Sequence, residues 1–305
     1  MDHDPSPRMP AGDARGAPAG DPAWLDVRLP YRAPLPLGEL LAFLAARAVP
    51  GVEAVVGGAY RRVLDLPGGP AVVELGPGGA DWVACRLSLA DPADRAAAVT
   101  ACRRLLDLDT DPAPVDRTLG SDRSLAPLVA ATPGRRAPVH VDAHELAVRA
   151  VLGQQVTLAA ARGLAGRLAA ICGTPLARPV GELTAAFPTT AAIADADLDQ
   201  LGMPGARRTT LRTLAAALAA GRIDLGPGAD AAAAEAALLA LRGIGPWTAA
   251  YVRMRGLGDP DVFLPGDVGV RRALARLGLT GTATTGERWQ PWRSYAVHHL
   301  WASLG

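Results

Sequence analysis

The sequence of 305 residues contains no lysine, so all 31 of its permanently basic side chains are arginines. A lysine amine is the usual side-chain nucleophile in reactions that pass through a Schiff base. Arginine cannot take that part, because its guanidinium stays protonated in proteins. Imine chemistry on a side chain is therefore excluded, and only the amine at the N-terminus of the chain could start such a reaction.

Cysteine is almost as scarce as lysine. The three cysteines, Cys85, Cys102 and Cys172, are odd in number and scattered along the chain. This spacing fits neither a disulfide framework nor a cysteine metal cage. We expect a cytoplasmic protein that binds no metal and no other cofactor.

Long apolar runs are missing too, although 50% of the residues are hydrophobic. No stretch approaches the length that spans a bilayer, so we expect no contact with membranes. The first residues are rich in proline, glycine, alanine and aspartate and have no apolar core of a signal peptide. We expect residues 1–22 to form a disordered tail.

The net charge of +1 is low for a protein that binds nucleic acid. Its distribution is uneven, however. From Leu201 onward there are twelve arginines against seven acidic residues, which gives this part about +5. Two interpretations stay open: a basic surface for a nucleic acid, or an ordinary solvated helical surface in an arginine-rich chain.

Two regions follow the tail, and together they predict an α+β fold. Residues 23–91 alternate in hydrophobicity between Gly/Pro turns, which is typical of an antiparallel β-sheet, and one segment has helical spacing. Residues 92–305 have the periodicity of an all-α region with two helical subdomains. Within the sheet domain, strands are predicted over Trp24–Pro30, Ala59–Leu66, Ala71–Leu75 and Asp81–Leu89, and a helix over Leu37–Val49.

A Gly243-Ile244-Gly245 turn joins two predicted helices, Ala231–Leu241 and Pro246–Gly256. Such a helix–hairpin–helix leaves N–H groups unpaired at a helix N-terminus, where a phosphate can bind. Glycines let the phosphate approach the backbone closely. The alternative is a simple corner between two packed helices.

Asp267 follows a Gly/Pro loop and precedes a predicted helix over Val268–Gly278. It is either an N-cap or a carboxylate that stabilises an oxocarbenium ion and activates water in glycosidic cleavage, and the two can hold together. Trp247 and Tyr251 lie one helical turn apart in a chain with 4% aromatic residues. They are core residues or an aromatic wall for a flipped base.

Trp301 and Phe43 are further candidates for the same aromatic wall. Gln154 and Gln155 are predicted to lie in mid-helix, beside Gly153. They are either polar surface or a plug that enters the gap left by an extruded nucleotide.

Five separated motifs over about 170 residues resemble the helix–hairpin–helix DNA glycosylase superfamily, in particular the 3-methyladenine DNA glycosylase II (AlkA) type. They are RAVLGQQVT, LGMPGARR, LRGIGPWTAAY, DVFLPGDVGVRRAL and WQPWRSYAVHHLW. FLAARAV, in residues 43–49, and the predicted sheet after it are similar to the first domain of that type.

The resemblance implies a role for each matching position. Asp267 would be the catalytic carboxylate, and the hairpin Gly243–Gly245 would grip a DNA phosphate. Gln155 would be the wedge in the duplex, where the best-known members have leucine. The aromatic residues around the flipped base would be Trp247, Tyr251, Trp301 and Phe43.

The resemblance also implies the reaction. We expect a monomer that binds double-stranded DNA, flips out an alkylated purine and hydrolyses its N-glycosidic bond, acting at the bacterial nucleoid. Members that also cut the strand carry a lysine where this chain has Trp247, so we expect a monofunctional enzyme. The alternatives are a non-catalytic DNA-binding protein and a glycosylase for another purine lesion, such as hypoxanthine.

Overall fold

The computed structural model describes residues 23–279 and 283–305. The expected tail at residues 1–22 lies outside the described residues. In the described part, no helix is both long enough and apolar enough to cross a bilayer.

Five strands form an antiparallel sheet in the order β1-β5-β4-β3-β2. The strands are β1 (Leu25–Pro30), β2 (Glu53–Val56), β3 (Ala59–Leu66), β4 (Gly69–Gly76) and β5 (Trp82–Ser88). The antiparallel sheet is confirmed, and the bounds of β3 match the prediction. The short edge strand β2 was not predicted, because it spans only four residues and two of them, Val55 and Val56, are exposed.

One face of the sheet is covered by two helices, α1 (Leu37–Ala45) and α2 (Arg95–Leu105). Alternate residues of β5 point into this core, together with apolar residues of both helices. We propose that the first domain extends beyond the expected boundary at residue 91, since α2 belongs to its core. The contributing side chains are Val83, Cys85, Leu87, Leu40, Leu41, Leu44, Ala98, Cys102 and Leu105.

The rest of the described chain is mainly helical, and the α+β fold class is confirmed. Its helices are α3 (Pro112–Gly120), α4 (Ala126–Ala131), α5 (Ala143–Leu152), α6 (Leu158–Cys172), α7 (Thr190–Asp195), α8 (Gly205–Ala219), α9 (Ala231–Leu239), α10 (Pro246–Val252), α11 (Val268–Arg276) and α12 (Arg293–Ala302). The expectation that this region is entirely helical is wrong at one place, where β6 (Thr174–Val180) pairs with β7 (Leu183–Ala186).

The helical region has two hydrophobic cores, as expected for two subdomains. One contains Val148, Leu152 and Leu214, and the other contains Val270 and Leu300. Tyr251 of α10 packs against both cores. Helix α10 therefore lies at the seam between the subdomains, where a cleft can form.

A buried network of charged side chains joins the sheet domain to helix α5. Arg62 on β3 lies 2.8 Å from Glu145 and 3.4 Å from Glu53. Arg149 on α5 lies 3.1 Å from Glu53 and 2.9 Å from Glu145. The Tyr60 hydroxyl donates to Glu53 at 2.5 Å. Two carboxylates thus face two guanidiniums, and the charges balance inside the protein.

The pKa values in this network follow from that balance. Burial acts to raise the pKa of Glu53, but Arg149 and Arg62 outweigh it and hold the pKa below its ordinary value. Burial, and then Arg149 and Arg62, lower the pKa of His140 far below its usual range. His140 is therefore neutral at pH 7, which leaves the four charged partners matched.

Replacing Arg62 with alanine leaves a buried carboxylate without one of its partners, and we expect it to lower the free energy of unfolding by about 3–5 kcal/mol. Arg32 provides the control, because it forms an ion pair with Asp111 at the surface, where the side chain of Arg32 is 68% exposed and that of Asp111 is 44% exposed. Arg32→Ala should cost at most about 1 kcal/mol. Urea denaturation measures both, and equal losses would contradict the importance of the buried network.

Candidate active site

Asp267 caps the N-terminus of α11. Its Oδ1 accepts a hydrogen bond of 2.8 Å from the backbone N–H of Val270, and its own backbone is extended, as in other N-caps. The N-cap interpretation is therefore confirmed. Besides the capping hydrogen bond, the carboxylate accepts hydrogen bonds from two side chains.

Two indole N–H groups also donate to Asp267. Trp301 Nε1 donates to Oδ1 at 2.8 Å, and Trp247 Nε1 donates to Oδ2 at 3.0 Å. Hydrogen bonds to an ionised acceptor are stronger than those between neutral groups. The carboxylate is thus fixed by three donors from three helices, and it faces an aromatic surface.

The structure brings the four predicted aromatic residues together around Asp267. The rings of Trp247 and Tyr251 stack with centroids 5.1 Å apart and planes at 11°. Trp301 lies 6.4 Å from Tyr251 and 6.3 Å from Phe43, and is nearly parallel to Phe43. Their proximity was predicted; their roles in binding a base stay a prediction.

A cavity of about 540 Å³ lies beside three of these aromatic residues and Asp267. Its wall includes Trp247, Tyr251, Trp301 and Asp267. Phe43 lines an adjoining cavity of about 410 Å³, which shares Trp301 with the first. A pocket in which aromatic rings surround an oriented carboxylate is typical of a site for a flat organic ligand.

Two arginines that were not predicted also lie at this site. The Cζ of Arg47 is 3.6 Å from the centroid of the Phe43 ring, and the Cζ of Arg255 is 4.8 Å from it. Each arginine follows a predicted pocket aromatic by four residues, Arg47 after Phe43 and Arg255 after Tyr251. The i,i+4 spacing could have pointed to Arg47, which lies over Phe43, but it does not account for the contact of Arg255 with the same ring.

Arg255 is placed by a π-helical turn, Arg253–Leu257, that follows α10. Such turns redirect a side chain away from the regular helical position. The Arg255 Nε donates to the carbonyl of Pro138 at 2.5 Å. Burial lowers its pKa to about 10. The guanidinium is thus held charged at neutral pH in a mainly apolar wall.

The hairpin forms as expected between α9 and α10. Gly243 has φ of +92°, a conformation that favours glycine. Gly245 is the N-cap of α10, and the space around its Cα is open. Ile244 points into the core with 7% exposure, and its N–H donates to the Leu241 carbonyl at 3.1 Å. Ile244 therefore anchors the turn, whereas the two glycines lie at the surface.

The prediction that Gln154 and Gln155 lie in mid-helix is wrong. Helix α5 ends at Leu152 and α6 begins at Leu158, and Gln155 lies in the turn between them with φ of +55°. Its side chain is exposed. Gln154 instead ties this turn to the hairpin, since its Nε2 donates to the Gly243 carbonyl and to Thr248 Oγ1, each at 3.0 Å.

In the described part of the chain, one group of side chains has the spacing of a metal site, namely Glu53, His140 and Glu145. Arg149 Nη1 lies within hydrogen-bond distance of all three, at 3.1, 3.2 and 2.9 Å. The guanidinium of Arg149 thus occupies the position that a metal ion would take. This cluster is therefore an ion-pair network and not a candidate metal centre.

Comparison with known proteins agrees with this arrangement. Residues 26–142 match the model of the AlkA N-terminal domain. Residues 148–292 match the model of the HhH-GPD superfamily base excision DNA repair protein. The two matches meet near the start of α5, where the buried ion network joins the two regions.

Two curated relatives cover most of the chain. It is 47% identical over 284 residues to the probable bifunctional transcriptional activator/DNA repair enzyme AlkA of Mycobacterium tuberculosis. The aligned residues cover 92% of this chain and 57% of the mycobacterial relative. It is 37% identical over 281 residues to DNA-3-methyladenine glycosylase 2 of Escherichia coli, and the alignment covers 91% of this chain and 97% of that relative. The chain thus spans little more than half the length of the mycobacterial relative.

The chain belongs to the AlkA family, within the helix–hairpin–helix superfamily of base excision DNA repair proteins. A solved 3-methyladenine DNA glycosylase from Archaeoglobus fulgidus has the same fold, with a TM-score of 0.75 at 22% identity, over 91% of this chain and 97% of that one.

The two hairpin glycines should respond differently to alanine. At Gly243 an added Cβ would lie 2.1 Å from Thr210 Oγ1. An alanine there would also have to adopt a positive φ, which is unfavourable for a residue with a side chain. We expect Gly243→Ala to lower the free energy of unfolding by about 1–3 kcal/mol. Gly245→Ala meets open space at a negative φ, so it should lower this free energy less, by at most about 1 kcal/mol for the poorer N-cap. Thermal denaturation compares the two, and a stable Gly243→Ala protein would contradict the geometry.

Proposed function

We propose that the protein is a monofunctional DNA N-glycosylase that excises alkylated purines, such as 3-methyladenine and 7-methylguanine. The observation that carries this proposal is the Asp267 carboxylate, held by two indoles at the wall of an aromatic cavity. The names of the relatives in Escherichia coli and Mycobacterium tuberculosis support it.

The chemistry of the substrate explains why no strong general acid is needed to protonate the departing base. Alkylation makes the purine a cationic leaving group, and a cation is attracted to aromatic faces such as those of Trp247 and Tyr251. The C1′–N bond breaks and its electron pair departs with the base. Asp267 faces the positive charge that develops on the sugar and stabilises it. A water oxygen then bonds to C1′ and loses a proton, which leaves an abasic site.

The base can reach this cavity only after leaving the duplex. Gly243 and Gly245 present backbone at the surface to grip a phosphate. We infer that Gln155 enters the gap in the base stack, and its exposure on the turn between α5 and α6 supports this role. The neighbouring Val156 and Leu158 are 36% and 46% exposed, which is unusual for such side chains and gives this turn an apolar surface against the bases.

Charge at the mouth of the cavity favours DNA as the partner. Arg271 and Arg272 are exposed in the first half of α11, and Arg272 lines the cavity. Arg242 is exposed at the hairpin. Cations here can bind the phosphates on either side of the flipped nucleotide. We propose a monomer on double-stranded DNA, located at the nucleoid in the cytoplasm.

A non-catalytic DNA-binding protein would need the hairpin but not a carboxylate fixed by three donors. The contacts of Asp267 therefore favour the enzyme. A glycosylase for hypoxanthine would use the same contacts with a neutral base, and a panel of modified bases distinguishes it.

Replacing Asp267 with asparagine should lower the rate of base release at least about a hundredfold, because the negative charge that faces the sugar is lost. DNA binding and the fold should persist, since asparagine is also a good N-cap. The free energy of unfolding should fall by only about 1 kcal/mol, because asparagine keeps one of the two acceptor oxygens and so loses one indole hydrogen bond. Asp230, the N-cap of α9, provides a matched control. Asp230→Asn should release base at the original rate. The assay is release of 3-methyladenine from methylated DNA, and undiminished release by Asp267→Asn would defeat the assignment.

The absence of lysine predicts no strand cleavage by the protein. Incubation with damaged DNA and borohydride should give no covalent adduct, because no side-chain amine is available to form an imine. A lyase of the same superfamily, treated in parallel, shows that trapping works. A robust adduct with this protein would show that the proposed chemistry is wrong.

A further inference from the structure

A planar cation of the protein itself rests in the aromatic part of the site. Arg47 lies in the turn after α1, with its Cζ 3.6 Å above the centre of the Phe43 ring and 6.0 Å from the ring of Trp301. Burial lowers the pKa of Arg47, and the nearby Tyr251 and Asp267 partly offset this effect. The guanidinium therefore occupies the π face of Phe43, within the electrostatic reach of Asp267.

Hydrogen bonds, and not an ion pair, hold the Arg47 side chain. Its Nη1 donates to the backbone carbonyl of Phe43 at 3.1 Å, and its guanidinium also hydrogen-bonds with the Tyr251 side chain. Among the described residues no carboxylate forms an ion pair with it, whereas the nearby Arg149 pairs with both Glu53 and Glu145. Nothing comparable to that buried network retains the guanidinium of Arg47.

The backbone of Arg47, by contrast, is fixed. Its carbonyl accepts a hydrogen bond of 2.6 Å from Arg149 Nη2, and its N–H donates to the Leu44 carbonyl at 2.9 Å. The side chain can consequently turn out of the site without any movement of the main chain. Rotation of a partly exposed side chain is rapid on the timescale of binding.

The guanidinium and the proposed substrate have the same chemistry. Both are flat, delocalised cations that stack on aromatic rings. They cannot occupy the same face of Phe43 together, because the guanidinium of Arg47, 3.6 Å from the ring centroid, already fills the stacking distance on that face. Either the base stays away from Phe43 or the arginine leaves.

We propose that Arg47 is a gate, whose guanidinium fills the base slot of the DNA-free protein and leaves when a flipped base stacks on Phe43. This inference rests on the proposed function. Every base that enters must compensate for the lost contacts of the guanidinium. A planar cation does so best, and an undamaged purine does so poorly. Because the cost of displacing the guanidinium is the same for every base, Arg47 sets a threshold that lowers the excision of all bases alike.

The first test is the excision efficiency, kcat/KM, of Arg47→Ala on 7-methylguanine, hypoxanthine and undamaged guanine in duplex DNA. Removal of the gate should raise all three by a similar factor, on the order of tenfold. Arg47→Lys should lie between the two, because an ammonium is charged but cannot stack as a plane. Arg28→Ala is the matched control, since it removes an arginine that stacks on an aromatic ring outside the cavity, with its Cζ 4.8 Å from the ring of Trp82, and it should change none of the three.

A second measurement needs no DNA. The probe is 7-methylguanosine, a planar cationic nucleoside, and its Kd for the free protein is followed by the quenching of tryptophan fluorescence. Arg47→Ala should bind it on the order of tenfold more tightly than the original protein. Asp267→Asn should bind it more weakly, because the facing carboxylate is lost.

The outcomes separate the gate from the proposed function. If Arg47→Ala keeps its circular dichroism spectrum but loses excision and binds the nucleoside more weakly, Arg47 supports the slot and the gate is overturned. If the original protein releases no base from any damaged DNA, the proposed function fails. Tighter binding of the nucleoside by Arg47→Ala would support the gate even then.

Discussion

The arrangement of the site depends on how one carboxylate is held. Asp267 accepts hydrogen bonds from the Val270 backbone, from Trp247 and from Trp301. These donors belong to α11, α10 and α12, so a single side chain connects three helices at the seam between the two helical cores. Since both oxygens are fixed by N–H groups, the carboxylate has one orientation, and the aromatic rings that donate to it become the walls of the cavity.

The sheet domain takes part in the site through a second set of interactions. Arg62 of β3 and Arg149 of α5 share the carboxylates of Glu53 and Glu145 in the buried network. Arg149 also binds the carbonyl of Arg47. The loop after α1 is thereby fixed beside the helical region, and this loop follows directly on Phe43. The sheet is thus connected to the site by charge pairs and not only by apolar packing.

The parts of the site that could be predicted are those set by local sequence. Asp267 after a Gly/Pro loop indicated an N-cap, and the spacing of Trp247 and Tyr251 indicated one helix face. Gln155 was misplaced because its positive φ breaks a helix that the hydrophobic pattern continues through. The buried network was not predicted, since Arg62 and Glu145 are 83 residues apart in the chain and no local pattern links them.

The most direct test of the account is the proton NMR spectrum of the indole N–H groups of the six tryptophans. Trp247→Phe and Trp301→Phe identify two of the signals. In Asp267→Asn both should move upfield, because the acceptor loses its charge and one of its two acceptor oxygens. If both signals keep their positions after the substitution, the two indoles do not hold this carboxylate, and the account of the site is wrong.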